Sequence, residues 1–468
     1  MFDTTNIQPA APKKGTSSTR NACKLCAPLG ASLVFKGIEG CVPLIHGSQG
    51  CSTYIRRYMI SHYKEPVDIA STNFSEDSAV FGGGQNFVTG INNIISQYHP
   101  AVIGIASTCL SETIGEDVES LVRDYLNTNG AENAPLFFNV STPSYSGTHM
   151  NGFHQACIAA VKRFAVSGLR GRHLNLFPGF VSPADLRYLK EVCADMSIDA
   201  ILFPDYSETL DNVHTREYQL IPTGGTPVAH LEKTGLAEAT IEFGTVFNRS
   251  VGRQSNTSSI NSAGQYLEEK MEVPKKPMPL PIGIEASDHF FKVLWDFSHR
   301  PIPQKHLKER GRLVDAYVDA HKYVFGKRAV LYGEEDLVIA MAAFLKEIGI
   351  KPVLVASGAS SGIMQNALAG IFGADHDIMV ADGSDFATIR EMMPDLKPDL
   401  MIGNSKGYYI ARELKIPIIR IGFPIHDRFG ASRMHHIGYR GTQELFDRIV
   451  NALIEYKQES SPVGYKYI

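Results

Sequence analysis

Residues 101–126 read AVIGIASTCLSETIGEDVESLVRDYL, and this stretch predicts the fold of the chain. Its first part, AVIGIAST, is a short apolar run rich in β-branched residues, which predicts a buried strand. After Cys109 the apolar residues recur at helical spacing. A strand that feeds a helix is the repeating unit of a parallel sheet, and ligand sites in such sheets collect at the carboxyl ends of the strands. Cys109 is therefore predicted at a ligand-binding edge.

The same alternation of strand and helix recurs along the rest of the chain. LFFNVSTP, at 136–143, predicts the next strand, and helical spacing follows to about residue 165. A second unit begins at His173 and a third at Lys327, each reading strand, glycine, helix and strand. Strands that alternate with helices of this length predict an α/β fold with parallel, doubly wound sheets.

Two stretches between these units have weaker patterns. Residues 206–281, which include PTGGTP and the proline run VPKKPMPLPIG, predict loops and a domain boundary. Residues 288–325 predict a helical bridge into the third unit. We therefore expect three α/β domains and a polar arm, with these bounds: a flexible N-terminal arm at 1–21, a domain carrying the cysteines at 22–170, a second domain at 171–290, and a third domain with bridging and C-terminal helices at 291–468.

Composition excludes several classes of protein. The chain has 468 residues, 44% of them hydrophobic, and a net charge of −4, so it has no basic character that would favour nucleic acid. No apolar run approaches the roughly 18 residues that a membrane span needs. Residues 1–21 are polar and lack the apolar core of a signal peptide. We expect a cytoplasmic protein without a membrane partner, whose seven cysteines are reduced.

Common nucleotide motifs are missing from the sequence. It contains no GxxxxGK[ST] phosphate loop and no GxGxxG after a strand. The glycines in FGGGQN and SGASSG are therefore poor candidates for a nucleotide site. If the predicted sheets bind a ligand at their edges, we expect it not to be a nucleotide.

The cysteines supply a candidate ligand set. Four of the seven lie in residues 23–51, a glycine-rich stretch, and thiolates at glycine-rich turns are what an iron–sulfur cluster selects. Our hypothesis is that Cys26, Cys51 and Cys109 meet in space and hold such a cluster. Three thiolates leave the shell of a large cluster incomplete. Either the cluster is small and open, or a second chain supplies the missing ligands.

Other interpretations of the cysteines are possible. The CxxC of Cys23 and Cys26 could be half of a zinc site or a thioredoxin-like redox pair, but no second ligand pair and no preceding strand support either. Buried cysteines more often act as small apolar fillers. This interpretation is favoured for Cys157 and Cys193 on helix faces and for Cys41 in an apolar run, and Cys23 is also expected outside the site.

Eight motifs together resemble the β-type subunit of component 1 of the nitrogenase superfamily, and the resemblance runs from about residue 22 to about 455. The motifs are CAPLGA (26–31), HGSQGC (46–51), EDSAVFGG (76–83), TCLSETIGED (108–117), TPSYSGTH (142–149), KERGRLVDA (308–316), MIGNS (401–405) and RIGFPIHDR (420–428). The cysteine spacing, 51 − 26 = 25 and 109 − 51 = 58, is more specific than any single motif.

The resemblance implies a fold, a cofactor and partners. It implies three Rossmann-like domains and an eight-iron, seven-sulfur P-cluster shared with an α-type subunit in an α2β2-like heterotetramer. Cys26, Cys51 and Cys109 would be this chain's cluster ligands. Ser144 would be an optional ligand, although a turn serine before a helix is an equally good interpretation. Phe81 would lie where an ATP-dependent iron-protein reductase docks, although an isolated phenylalanine would ordinarily be assigned to the core.

The resemblance also limits the possible reactions. The chain would relay electrons from the reductase to a catalytic iron–sulfur cofactor in the partner and would hold no catalytic residue itself. Cys26-Ala27-Pro28 differs from the Cys-Gln-Pro usual in dinitrogenase β subunits, and the complete cysteine set differs from that of cofactor-assembly scaffolds. The overall sequence most resembles that of methylthio-alkane reductases, which cleave C–S bonds. A dinitrogenase β subunit, an assembly scaffold and a plain α/β binding protein with inert cysteines are the alternatives.

Overall fold

A computed structural model describes residues 23–130, 132, 134–247 and 261–464, and it contains three parallel sheets. The predicted arm at 1–21 lies outside the described residues, as does most of the Ser/Asn-rich segment near residue 255. All strand pairs in the three sheets are parallel. The predicted α/β class with parallel sheets is confirmed.

The first sheet has the strand order β2-β1-β3-β4. Every residue of β1 and β3 is buried, because helices cover both faces of the sheet. Its strands are β1 Cys41–His46, β2 Ala70–Ser71, β3 Val102–Ser107 and β4 Leu136–Val140. The helices of this unit are α1 Ala27–Lys36, α2 Gln49–Tyr63, α3 Glu76–Phe81, α4 Gly84–Tyr98, α5 Cys109–Thr113, α6 Val118–Asn129 and α7 His149–Phe164.

The helical spacing after Cys109 does not form one continuous helix. The short helix α5 ends at Thr113, and Gly115 follows in a left-handed conformation with φ of 79°. Asp117 then caps the next helix, because its side chain accepts a hydrogen bond from the Ser120 N–H at 3.1 Å. The break turns the chain at the edge of the sheet where Cys109 lies.

The second sheet has the order β6-β5-β7-β8, the same pattern as the first. Its strands are β5 Leu174–Phe177, β6 Ala200–Leu202, β7 Ala239–Phe243 and β8 Lys275–Met278. The helices are α8 Pro183–Asp195, α9 Val228–Lys233 and α10 Ala263–Met271.

The proline run at 273–283 was wrongly predicted to be loop, because β8 lies within it; β7, α9 and α10 also lie between residues 206 and 281. The strand β8 contains Pro277, which lacks an N–H, and a sheet accepts proline only where that donor is not needed. This condition is met because β8 is an edge strand, paired with β7 alone. A proline run that predicts loops in isolation can therefore supply the last strand of a sheet.

The third sheet has the doubly wound order β11-β10-β9-β12-β13. Its strands are β9 Arg328–Tyr332, β10 Lys351–Ala356, β11 Met379–Ala381, β12 Leu400–Gly403 and β13 Ile418–Arg420. The helices, including the two of the predicted bridge, are α11 Ile284–Ser298, α12 Gln304–Val324, α13 Glu335–Glu347, α14 Met364–Phe372, α15 Phe386–Leu396, α16 Tyr408–Leu414 and α17 Gly438–Ser460.

The three units are joined by a shared hydrophobic cluster. Of the three clusters of buried side chains among the described residues, one extends from Leu25 in the first unit to Leu453 in the last helix. Burial of this much apolar surface is the main force that holds the units together. None of the helices in the described ranges is long and apolar enough to cross a bilayer.

Candidate metal-cluster site

The first sheet brings two of the predicted cysteines to one edge. The strands β1 and β3 are neighbours in register, with His46 opposite Ser107, so the turns that follow them lie side by side. Cys51 lies in the first turn of α2, after β1, and Cys109 is the first residue of α5, after β3. The chain order reverses between β1 and β3, and such switch points are where parallel sheets bind ligands.

Cys26 reaches this edge from the start of α1. It is the N-cap residue of α1, with Pro28 in the first turn, and its side chain makes no capping hydrogen bond. The residue before it is fixed to α7, because the His149 N–H donates to the Leu25 carbonyl at 3.0 Å. The helices α1 and α7 cross closely at Gly30 and Gly152, where an added Cβ would overlap the backbone of the other helix.

Ser144 joins Cys109 to the turn that carries Cys26. Its backbone N–H donates to the Cys109 Sγ at 3.2 Å, and its Oγ accepts a hydrogen bond from the Ala27 N–H at 3.1 Å. Ser144 follows β4, the strand next to β3, so a third strand end contributes to the same edge. The structure thus brings Ser144 into contact with two of the three segments that carry the predicted cysteines.

Cys51 interacts electrostatically with both other cysteines. Burial raises the pKa of the Cys51 thiol, and negative charge on Cys26 and Cys109 raises it further. Three neighbouring thiolates repel one another, so they need a bound cation to be ionised together. All three are reduced, with Cys51 and Cys109 exposed and Cys26 half-buried.

This donor set fits an iron–sulfur cluster that a second chain completes. Soft thiolates are the ligands that such clusters select, and their mutual repulsion would be relieved by iron. The starts of α1 and α2 add positive helix-end potential next to two of the thiols. Within the described ranges no group of three or more His, Cys, Asp or Glu side chains is placed to hold a single metal ion.

The other four cysteines are buried away from this edge. Burial raises the pKa of the Cys23, Cys41 and Cys193 thiols to about 12 and that of Cys157 well above its usual value. Cys157 and Cys193 lie on the inner faces of α7 and α8, where the sequence predicted apolar fillers. A neutral buried thiol is a poor metal ligand.

Phe81 lies on the surface and not in the core. It is the last residue of α3 and 86% exposed. The loop after it is connected to the thiol edge through Glu116, whose carboxylate accepts from the Gly83 N–H at 2.7 Å and lies 3.1 Å from His46 Nε2. His46 ends β1, so the exposed phenylalanine is linked to the strand that leads to Cys51.

Two charged residues at this edge were not found by sequence reasoning. Glu116 follows Cys109 by seven residues and lies in the motif TCLSETIGED, but no role was predicted for it. Lys406, in the turn after β12, lies near Cys26: burial lowers the pKa of Lys406, and the negative charges of Cys23 and Cys26 oppose that shift. The only sequence signal for Lys406 is its position after a strand of a distant sheet.

The fold and this edge define a class of protein: an α/β redox-type chain of three parallel sheets with free thiols at one switch point. The chain belongs to the nitrogenase component 1 type oxidoreductase family, whose family model matches residues 26–454 and so includes all three cysteines and Ser144.

Nitrogenase β chains are among the similar proteins. The nitrogenase molybdenum-iron protein beta chain of Clostridium pasteurianum is 35% identical over 439 residues, which is 93% of each chain. The nitrogenase vanadium-iron protein beta chain of Trichormus variabilis is 33% identical over 96% of this chain and 98% of its own length. A solved chain of nitrogenase Cp1 at pH 6.5 superimposes with a TM-score of 0.91 at 33% identity, covering 97% of this chain and 98% of that one. The resemblance to a β-type subunit is confirmed.

Proposed function

We propose that this chain is the electron-relay subunit of a nitrogenase-like reductase. Cys26, Cys51 and Cys109 would hold one half of an eight-iron P-cluster, and an α-type subunit would hold the other half in an α2β2-like heterotetramer in the cytoplasm. The observation that carries the proposal is the pair of Ser144 hydrogen bonds, which join the Cys109 sulfur to the turn of Cys26 beside Cys51.

The bound cluster would supply one-electron transfer. The chain's own residues orient its ligands: the Ser144 N–H donates to the Cys109 sulfur, and hydrogen bonds to cluster sulfurs are known to tune reduction potentials. The Ser144 Oγ lies beside the site, and we propose it as an optional ligand. Because Cys51 and Cys109 are exposed in the single chain, the partner subunit would have to exclude water from them.

The electron donor would be an ATP-dependent iron-protein reductase that docks at Phe81. An 86% exposed phenylalanine at a helix end gives a partner an apolar anchor of the kind that dominates interfaces. The link from Gly83 through Glu116 to His46 supports this position, because it holds the docking loop against the strand that precedes Cys51.

For the reaction of the complex we propose reductive cleavage of C–S bonds in methylthio-alkanes at a catalytic iron–sulfur cofactor of the partner. Ala27 supports this choice over dinitrogen reduction. Dinitrogenase β subunits usually carry glutamine at the position of Ala27, directly after the first cluster cysteine. The complete set of three cysteines and Ser144 supports a reductase over a cofactor-assembly scaffold. Dinitrogen reduction remains the alternative that the names of the similar proteins favour.

Iron analysis of the complex tests the cluster assignment. The Cys51→Ala complex, produced with its α-type partner, should lose most of the iron that this interface binds and the matching electron paramagnetic resonance signal. Cys193→Ala is the matched control, because it removes a buried thiol far from the edge and should retain the iron. Equal iron in Cys51→Ala and the wild type would refute the assignment.

Turnover tests the reaction. The anaerobic complex should be supplied with reductase and ATP and assayed in parallel with dinitrogen, acetylene and a methylthio-alkane. We expect methanethiol from the last substrate. Ammonia without methanethiol would establish the dinitrogenase alternative, and no product from any substrate would support the scaffold alternative.

A further inference from the structure

A cavity that is partly open to solvent lies at the carboxyl edge of the second sheet, and none of the cysteines lines it. It has a volume of about 60 Å³, which is room for roughly four water molecules. Its walls include the carboxyl ends of β5 and β7, at Pro178 and Gly244, and the turn after β9, at Glu334. The strands β5 and β7 are neighbours at which the chain order of the second sheet reverses, so this is the second sheet's own switch point.

Three buried polar atoms on the cavity wall have no hydrogen-bond partner among the described residues. They are the Tyr63 hydroxyl, the His154 Nε2 and the His436 Nε2. Tyr63 is 2% exposed and His154 is 6% exposed. A buried polar group without a partner costs about 1–3 kcal/mol, so three of them facing one cavity indicate that something fills it.

The hydrogen-bonding character of the wall follows from the contacts around it. The Ile425 N–H donates to His62 Nδ1 at 2.9 Å, and burial lowers the pKa of His62 to about 3, so the neutral ring carries its proton on Nε2. His62 and Tyr63 therefore offer N–H and O–H donors. Burial also lowers the pKa of His154 to about 3, and this ring is held flat against Phe247 with centroids 3.9 Å apart.

The charges of the wall exclude an anion. Asp185, Glu334 and Asp336 all line the cavity, and each already has a partner within the protein. Asp185 Oδ2 is 3.1 Å from His436 Nδ1, Glu334 Oε1 is 3.1 Å from His149 Nε2, and Asp336 Oδ1 accepts from the Val246 N–H at 2.8 Å. A ligand with a negative charge would face these carboxylates, while the Tyr63 hydroxyl and the His62 Nε2–H are neutral donors.

We propose that this cavity binds a small uncharged organic molecule with a hydrogen-bond-accepting oxygen and a short apolar body. The oxygen would accept from the Tyr63 hydroxyl and the His62 Nε2–H, and the body would lie against the aliphatic wall formed by side chains such as Val181 and Ile282. The Nε2 atoms of His154 and His436 would form hydrogen bonds with the other polar atoms of the ligand.

A matched pair of probes tests the proposal on the intact complex. Acetamide and acetate have the same size and differ in charge. Acetamide should raise the thermal denaturation midpoint in a saturable way and appear in soaked crystals beside Tyr63, whereas acetate should do neither. Tyr63→Phe, which removes only the hydroxyl, should weaken acetamide binding about fivefold, the equivalent of one hydrogen bond.

Control variants make each outcome decisive. Tyr188→Phe removes another buried hydroxyl that lacks a partner but does not line the cavity, so it should leave acetamide affinity unchanged. His154→Gln retains a neutral polar group and should weaken binding less than His154→Leu. Ordered water alone in acetamide-soaked crystals, equal binding of acetate, or equal affinity in Tyr63→Phe and Tyr188→Phe would each overturn the proposal.

Discussion

The carboxyl edges of the first and second sheets differ, although the two sheets share one strand order. At the first edge the turns after β1 and β3 lead to Cys51 and Cys109, which are exposed. At the second edge the turns after β5 and β7 lead into a cavity covered by α2, α7 and loops of the third unit. The topology of a sheet therefore determines where a ligand can bind. The elements that cover that edge determine which kind of ligand fits there.

The electrostatics of the two edges differ for the same reason. The exposed edge gathers thiols whose mutual repulsion on ionisation a bound cation would relieve. The covered edge keeps His62 and His154 neutral, since burial lowers the pKa of both side chains to about 3. A charged, shared cofactor suits the first edge, and a neutral small molecule suits the second.

The largest effect is expected where the first edge depends on a close helix crossing. Gly152→Val places a branched side chain against the Ala27 carbonyl, and because backbone cannot move aside as a side chain can, we expect the cost to exceed about 3 kcal/mol. The complex should lose soluble yield and cluster together. Gly370→Ala, also in a helix but facing open space, should be neutral or slightly stabilising. A Gly152→Val complex with unchanged melting and iron would contradict this account of how Cys26 is positioned.

A smaller effect is expected from the buried contact between Asp185 and His436 at the second edge. Burial opposes ionisation of Asp185, but hydrogen bonds and charge from His436 outweigh it and lower its pKa. Asp185→Asn leaves His436 without its carboxylate and should cost about 3 kcal/mol near neutral pH.

The pH dependence of that loss has a definite sign. Asp185 has a lower pKa in the folded than in the unfolded chain, so its contribution is present above the unfolded value of about 3.9 and is lost as the pH falls through the folded value. The Asp185 contribution to the difference in denaturation midpoint between wild type and Asp185→Asn should therefore shrink as the pH falls below about 4. A difference that already shrinks between pH 7 and 5 would show that another group is responsible.

His154 should affect stability in a different pH range. Its pKa is about 3 in the fold and about 6.5 unfolded, so the unfolded chain binds the extra proton and stability falls as the pH drops below 6.5. Between pH 7.5 and 5.5 this amounts to about 1.4 kcal/mol. His154→Gln removes the titration, so denaturation midpoints of the variant should fall less over this range than those of the wild type. Parallel pH profiles for the two proteins would contradict the assignment.

Much of the first edge could be predicted from the sequence. Cys109 follows an obvious strand, and parallel strands bring their carboxyl ends together, so its place at the edge followed from pattern alone. The link of Cys26 to Ser144 could not be predicted this way, because it depends on the crossing of α1 and α7, two helices more than 100 residues apart. The strand β8 was missed because Pro277 is compatible with a strand only at a sheet edge, and an edge is defined by the other strands.

The second edge could not be predicted at all. Tyr63, His154 and His436 lie on separate elements of the first and third units, and each has ordinary neighbours in the sequence. Their common feature is a polar atom that finds no hydrogen-bond partner in the part of the chain that the structure describes, and no sequence periodicity reveals this. Cysteines are rare, so their spacing in a sequence can indicate a binding site. Buried tyrosines and histidines are common, so their positions in the sequence do not.

The smallest effect is expected from Ser144→Ala, and it separates two roles of this residue. The variant removes the Oγ that accepts from the Ala27 N–H but keeps the backbone N–H that donates to Cys109 Sγ, so stability should fall by only about 1 kcal/mol. Iron content of the reduced complex should be unchanged, because the three cysteines remain. If the Oγ is also a ligand in the oxidised state, the oxidised complex alone should show an altered paramagnetic signal. If the variant and the wild type have identical spectra in both redox states, the Ser144 hydroxyl only holds the Cys26 turn in place. If the reduced variant loses iron, the hydroxyl is needed to position the cysteine ligands, and the expectation of a small effect is wrong.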